Sequence, residues 1–357
     1  MADSAPKVAE VEREESADVL DKKADTLVKL MRKSKHFIAC TGAGVSTSAG
    51  IADFRGPNGV WTLRAQGKQA QNRKNTLQAI PTPTHMALKK RYITNFRAVS
   101  TYEKSIHDHR TGRNCVICGG ALLDTIINFG ESLFEEPLQY AREHAAKADL
   151  CLVLGSSLTV SPSNEIPETV GRRRGAKLVI CNLQSTPIDR LSDIRVFSKT
   201  DNLMSRVMAK LGLPISSFIL RRRLTIRMET GEDKRQQLVV QGIDVDGTPA
   251  TFLQSVRLDY NRRVVRSEPF VISLRSLPGP GTQMKLELEF MGHYSEPNLE
   301  VEYTYGGEGK TESHYLLEYN PSDGNWAVTQ SENPRPDNRP RDETTRNQKV
   351  VIDLTED

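Results

Sequence analysis

Gly42, Gly44 and Gly50 stand among small residues in the string TGAGVSTSAGIADFRGPNGVW, which runs from Thr41 to Trp61. Glycines at this spacing let backbone N–H groups come close to a diphosphate, and a following helix N-terminus favours the negative charge. The apolar run Phe37–Cys40 just before them reads as a buried strand. A Gly-rich strand-to-helix turn is common and says little alone. The tail narrows it: Asp53-Phe54-Arg55 puts an acid, an aromatic ring and a guanidinium just past the loop, and Gly56-Pro57-Asn58-Gly59-Val60-Trp61 follows. The bland alternative is a structural glycine turn with an exposed arginine.

Further groups invite a chemical reading. Gly155, Ser156 and Ser157 follow the apolar run Leu150–Leu154, and Asn182 and Gln184 follow Val179–Cys181. Polar residues at strand C-terminal ends are where doubly wound sheets bind ligands, although each such transition alone is an ordinary strand-to-loop step. Cys115-Val116-Ile117-Cys118 has the spacing of one zinc knuckle. A structural zinc site takes four ligands, so this is half of one, with His107 and His109 upstream as substitutes of a kind; the alternatives are a labile site or a free dithiol.

These residues in this order resemble the sirtuins, the NAD-dependent protein-lysine deacylases, over roughly residues 22–214. The GVW ending is similar to the nuclear class IV branch, the sirtuin six and seven type. The resemblance implies that Ala43, Thr47, Phe54, Arg55 and Trp61 contact NAD, with Arg55 near the diphosphate or ribose and Phe54 shielding the C1′ face. Asp53 would order the loop. Gly155, Ser156 and Ser157 would cradle phosphate or ribose, Asn182 and Gln184 would bind the adenosine ribose, and Thr200 would pack near the adenine.

The resemblance also has a break. In the family, a helix start like Thr84–Leu88 leads to a strand, a Gln-Asn-x-Asp-Gly loop, a His-Gly pair carrying the catalytic histidine, and a first Cys-x-x-Cys. Here Leu88 runs directly into Lys89-Lys90-Arg91-Tyr92-Ile93, so tens of residues are expected to be lost in frame between about Leu88 and Lys89. No catalytic residue carries over, and the zinc site keeps only Cys115 and Cys118. His85 precedes a helix and reads as a cap or packing residue, not as a replacement base.

In an intact member the acyl-lysine oxygen attacks C1′ of NAD as nicotinamide leaves, and a histidine-activated ribose hydroxyl then gives O-acyl-ADP-ribose. Loss of one general base costs about 10²–10⁴-fold in rate. The resemblance therefore implies an NAD-dependent deacylase by lineage, acting on acylated lysine proteins such as histones, in a chain that is itself catalytically impaired. A non-catalytic NAD-binding or partner-binding isoform is the alternative, and mono-ADP-ribosyl transfer is a third option. Nuclear or nucleolar location follows from the class IV resemblance.

The elements needed to hold these residues are legible in the pattern. The chain has 357 residues, 26% charged and 6% aromatic, with net charge +4, which does not force a nucleic-acid partner. No apolar run approaches membrane-spanning length, and the acidic start is no secretory signal. Five cysteines include Cys40, Cys151 and Cys181 on expected buried strands, where they read as inert small hydrophobes. Residues 1–20 read as a polar, mobile leader. Over 21–214, strands at 36–40, 150–154 and 178–181 alternate with helices at 16–32, 135–148, 164–173 and 202–211. The expected fold is α/β: a Rossmann-like doubly wound parallel sheet with a small zinc-binding module.

Residues 216–330 change character, with β-type alternation between turn signals such as Asp246-Gly247 and Asp323-Gly324. They are expected to form a C-terminal all-β sandwich of six to eight antiparallel strands. The basic runs Arg172–Arg174 and Arg221–Arg223 read as solvated faces. Residues 331–357 are expected to be a disordered tail, whose end, Val350–Asp357, resembles a SUMO-interacting motif; the alternative is a sticky chain end.

Overall fold

Leu150–Leu154 is buried at all five positions, as a strand covered on both faces must be. The computed structural model describes residues 11–68, 78–88, 109–114, 121–123, 127–232, 234–244, 249–259, 263–307 and 312–331. These fall into two units, one ending at Ser217 and the other resuming at Phe218.

In the first unit, β1 (Phe37–Thr41), β4 (Leu150–Leu154), β5 (Lys177–Cys181) and β6 (Ile194–Val196) form a parallel sheet in the order β1-β4-β5-β6. Register pairs Phe37 with Leu150 and Leu154 with Cys181. Period-two alternation divides the core. Phe37, Ala39, Leu152 and Val179 face one cluster with α1 (Ala17–Lys33) and α6 (Thr200–Leu211), through Leu27, Leu203 and Val207. Ile38, Cys40, Val153 and Ile180 face the other, with α4 (Glu135–Lys147) and α5 (Glu165–Arg172), through Ala145, Ile166 and Val170. Helices on both faces of a parallel sheet are the doubly wound arrangement. Two short α-helices, α2 (Val60–Ala65) and α3 (Pro83–Leu88), and 3-10 turns at Ala43–Val45, Thr47–Ala49 and Asp189–Leu191 join these elements.

Three details differ from the sequence expectation. β6 was not foreseen, because three residues around a charged Arg195 carry too little pattern. The part of the leader that is described is tied to the sheet ends: Arg13 N–H donates to Leu183 O and Glu15 N–H to Phe197 O, both at 2.9 Å. Its acid pairs locally, with Lys23 Nζ 2.5 Å from Glu15 Oε1. Third, residues 109–114 and 121–123, expected inside the domain 21–214, group with the second unit. They form an antiparallel ribbon of β2 (Arg110–Asn114) and β3 (Ala121–Leu123).

Among the described residues the second unit contains nine more strands, not six to eight. They are β7 (Leu220–Thr230), β8 (Gln236–Ile243), β9 (Leu253–Leu258), β10 (Arg263–Val265), β11 (Phe270–Ser273), β12 (Gln283–Phe290), β13 (Leu299–Thr304), β14 (Glu312–Asn320) and β15 (Asn325–Ser331). Part of the surplus comes from two β-type runs, 218–241 and 263–274, that each give two strands, and the rest from β15, which falls in no such run. Residues 218–241 divide at the Gly231–Arg235 turn, and 263–274 divide between Val265 and Phe270. Two antiparallel sheets result, β11-β8-β7-β14-β15 and β10-β9-β12-β13, and both send side chains into one core that includes Leu224, Val240, Val256 and Leu286.

Alternation in β7 also corrects the reading of the second basic run. Arg221 is exposed and pairs with Glu318, but Arg222 points inward and is 2% exposed. It lies 3.8 Å from Glu296 and 5.2 Å from the Phe252 ring centre, and burial pulls its guanidinium down to about 10.

Candidate functional site

A cleft of roughly 380 Å³ opens at the C-terminal ends of the parallel strands. Its floor is bare backbone where the β1 loop crosses the β4 loop. Gly42 N–H donates to Leu154 O and Gly44 N–H to Gly155 O, both at 2.9 Å. A Cβ on Gly44 would fall 2.7 Å from Gly155 O, and one on Gly155 would fall 2.7 Å from Gly44 C. Gly155 also has φ +63°, which favours glycine. Among the described residues, the N–H groups of Ser156 and Ser157 have no backbone partner. A close, side-chain-free backbone with spare donors suits a diphosphate, so these residues fit the dinucleotide that the sequence implied.

The walls gather Thr47, Asp53, Gly155, Asn182, Gln184 and Thr200. Asp53 Oδ1 accepts the Gly56 N–H at 3.0 Å, while its main-chain carbonyl accepts the Val60 N–H at 2.8 Å. Burial raises the Asp53 carboxyl above its ordinary range, against the Gly56 N–H and the Arg55 charge. Asn182 Nδ2 donates to Gln184 O at 3.0 Å, which holds the β5 end in a tight loop. Thr200 is buried, and its hydroxyl oxygen lies 3.1 Å from that of Thr84.

Ala43, Phe54, Arg55, Trp61, Ser156 and Ser157 do not line this cleft. Three of them form a separate stack: the Phe54 and Trp61 rings are 4.9 Å apart, Phe129 closes on both, and the Arg55 guanidinium lies 4.5 Å from the Trp61 ring centre. Burial lowers the Arg55 guanidinium, and Asp53 opposes this. Phe129 escaped the sequence reading because a single aromatic carries no spacing signal.

His85 acts as a helix cap. Its Nδ1 lies 2.7 Å from the Thr82 hydroxyl and 3.3 Å from the Thr82 N–H, while the His85 N–H reaches back to that hydroxyl at 3.4 Å. With Pro83 in the first helical position, this is a capping box in which histidine takes the usual glutamate's place. No histidine lines the cleft among the described residues. Cys115, Cys118, His107 and the tail segment Val350–Asp357 lie outside the described residues. Among those described, no cluster of three or more His, Cys, Asp or Glu could hold a metal. Cys40, Cys151 and Cys181 are buried and free, and burial pushes the Cys181 thiol up to about 12.

The sequence also missed Glu12, Lys199 and Asp201, all on the cleft wall. Asp201 could have been read as a first-turn acid of α6, but nothing in the alternating charges near Glu12 marks it as facing a site.

Comparison with known proteins gives a consistent picture. Residues 84–162 match the Sir2 family. NAD-dependent protein deacetylase SRT1 of Oryza sativa subsp. indica is 30% identical over 312 residues, covering 72% of this chain and 64% of that protein. NAD-dependent protein deacetylase Sirt6 of Drosophila melanogaster is 31% identical over 257 residues, covering 57% of this chain and 80% of that protein. A solved structure of Sir2Tm bound to a propionylated peptide is 26% identical, with TM-score 0.39, covering 54% of this chain and all of that one. The chain thus spans somewhat less than two thirds of the rice relative.

Proposed function

The chain belongs to the Sir2 family, and from that premise we propose that its cleft binds NAD in the manner of a protein-lysine deacetylase. The observation that carries this reading is the backbone crossing of Gly44 and Gly155, too close for any side chain. When bound, NAD would supply an activated ribose carbon to which an acyl group can be transferred. The chain's own groups bind and orient. The bare backbone at Gly44 and Gly155 would meet the diphosphate, and Asn182 and Gln184 would meet the adenosine ribose. Asp53 would keep the Phe54–Arg55 turn in place.

We further propose that this chain turns over poorly. No described histidine faces the cleft, and His85 is engaged with Thr82. Without a positioned base, deacylation would fall by about 10²–10⁴-fold. The same reading makes acylated lysine proteins such as histones the substrates, with a nuclear or nucleolar site of action, a half zinc site at Cys115 and Cys118, and SUMO as a partner for the tail. It takes the two C-terminal sheets on their common core as a separate β-sandwich. Capping of His85 favours the second reading, a non-catalytic NAD-binding module.

Calorimetric titration of the full chain with NAD, zinc determination on the same sample, and deacylation of acetyl- and long-chain acyl-lysine peptides test this together. Saturable NAD binding with turnover at least 100-fold below an intact relative is expected. Absence of NAD binding would remove the cleft reading, and ordinary turnover would remove the impairment.

A further inference from the structure

The wall of the cleft carries one acid with no assigned task. Glu12 lines it beside Asn182, Leu183, Gln184 and Lys199. Asp201, another wall acid, is engaged by Thr84 and Ser48, and Asp53 is held by the Gly56 N–H. Among the described residues, the Glu12 carboxylate has no hydrogen-bond partner, although Lys199 lies near enough to stabilise its charge. Its position is set by the strand-like attachment of its neighbours. Arg13 N–H is bonded to Leu183 O, and Glu15 accepts the Phe197 N–H at 3.3 Å and holds Lys23. The Arg13 guanidinium also lies over the Phe197 ring, 5.5 Å from its centre.

These contacts bring Glu12 to the end of β5, where Asn182 and Gln184 supply only neutral groups. Readers of NAD on doubly wound sheets commonly place an acid against the adenosine ribose, where it accepts from the 2′-hydroxyl and repels a 2′-phosphate. No β5 residue can do this here. We propose that Glu12, brought in from outside the sheet, is the residue that makes this cleft select a dinucleotide with a free ribose 2′-hydroxyl over its 2′-phosphorylated counterpart. This rests on the NAD reading of the cleft. Its electrostatic setting agrees: burial, then the Asp53 and Glu14 charges, raise the Glu12 carboxyl, as for an acid in a negative corner awaiting a donor. Lys199 in the same corner would attract a 2′-phosphate once Glu12 lost its charge.

The test is titration of the full chain with NAD and with NADP at one ionic strength, with melting curves to verify folding. The unaltered chain is expected to bind NADP at least tenfold more weakly than NAD, about 1.4 kcal/mol. Glu12→Gln should narrow that ratio to within threefold, chiefly by improving NADP binding. Glu12→Asp should keep most of the discrimination, and Glu136→Gln, changing an exposed acid of α4 that does not line the cleft, should leave it unaltered. An unchanged ratio in Glu12→Gln, with NAD still binding, overturns the role of Glu12 alone. Failure of the unaltered chain to bind NAD overturns the NAD reading and this proposal together.

Discussion

Asp201 holds Thr84 twice: its Oδ1 accepts the Thr84 N–H at 2.9 Å and the Thr84 hydroxyl at 2.5 Å. Its other oxygen accepts the Ser48 hydroxyl at 2.5 Å. One carboxylate at the start of α6 thereby fastens both α3 and the glycine loop. Thr84 is fully buried, so losing this acceptor strands its N–H away from water and leaves its hydroxyl only the longer contact with Thr200. Asp201→Ala is expected to lower stability by roughly 2–4 kcal/mol, read from denaturant midpoints, and to weaken NAD binding. Asp201→Asn, which keeps an acceptor, should lose clearly less. Equal losses would show that the acceptor geometry is not what matters.

The Gly44–Gly155 crossing gives a sharper test of the cleft. In Gly44→Ala the new Cβ would meet Gly155 O at 2.7 Å and Gly155 Cα at 2.8 Å, and neither is the movable end of a side chain. The β1 and β4 loops must part, with an overpacking cost of about 1–3 kcal/mol. NAD affinity should fall at least tenfold by calorimetry. Gly279→Ala, where no atom lies within 4 Å, is the matched control and should change neither quantity. Normal NAD affinity in Gly44→Ala would place the diphosphate elsewhere.

What the sequence showed and what it hid have physical causes. Leu150–Leu154 was legible to the residue because a parallel strand buried on both faces must be apolar throughout. Thr47, Asp53, Asn182 and Gln184 were found as a group because their motifs sit at strand ends. Glu12 was hidden because its placement depends on main-chain bonds from Arg13 and Glu15, which leave no mark on residue type. Arg222 was misread for the opposite reason. Three arginines in a row suggest water, yet a β-strand turns every second side chain inward whatever its charge.

That inward arginine is itself open to test. Arg222 and Glu296 are 1% and 0% exposed at their side chains and lie 3.8 Å apart, with the Phe252 ring alongside. Removing one partner leaves the other charged in the core, which costs about 3–5 kcal/mol. Glu296→Ala should therefore destabilise the second unit by that amount in denaturant melts. The double change Arg222→Met with Glu296→Leu removes both charges and should recover most of the loss. Additive losses in the double variant would show that the two side chains act independently.

The last prediction concerns acid. Burial alone would raise the Asp149 carboxyl, but the Ser34 hydroxyl and the N–H groups of Lys35 (2.6 Å) and His36 (3.1 Å) outweigh it and hold the group below the usual carboxylate range. A carboxyl whose folded value is depressed stabilises the fold above its unfolded value, near 3.9, and that contribution is lost as pH falls through the folded value. These bonds tie the turn after α1 to the start of β4, so they fix how β1 enters the sheet. Asp149→Ala should lower stability by about 1–2 kcal/mol near neutral pH. The gap from the unaltered chain should hold down to about pH 4 and close below it, because protonation then removes in both proteins what the substitution removed in one. Denaturant midpoints at pH 7, 5, 4 and 3 measure this, and a gap that stays constant to pH 3 would mean that the ionised carboxylate is not what joins the two elements.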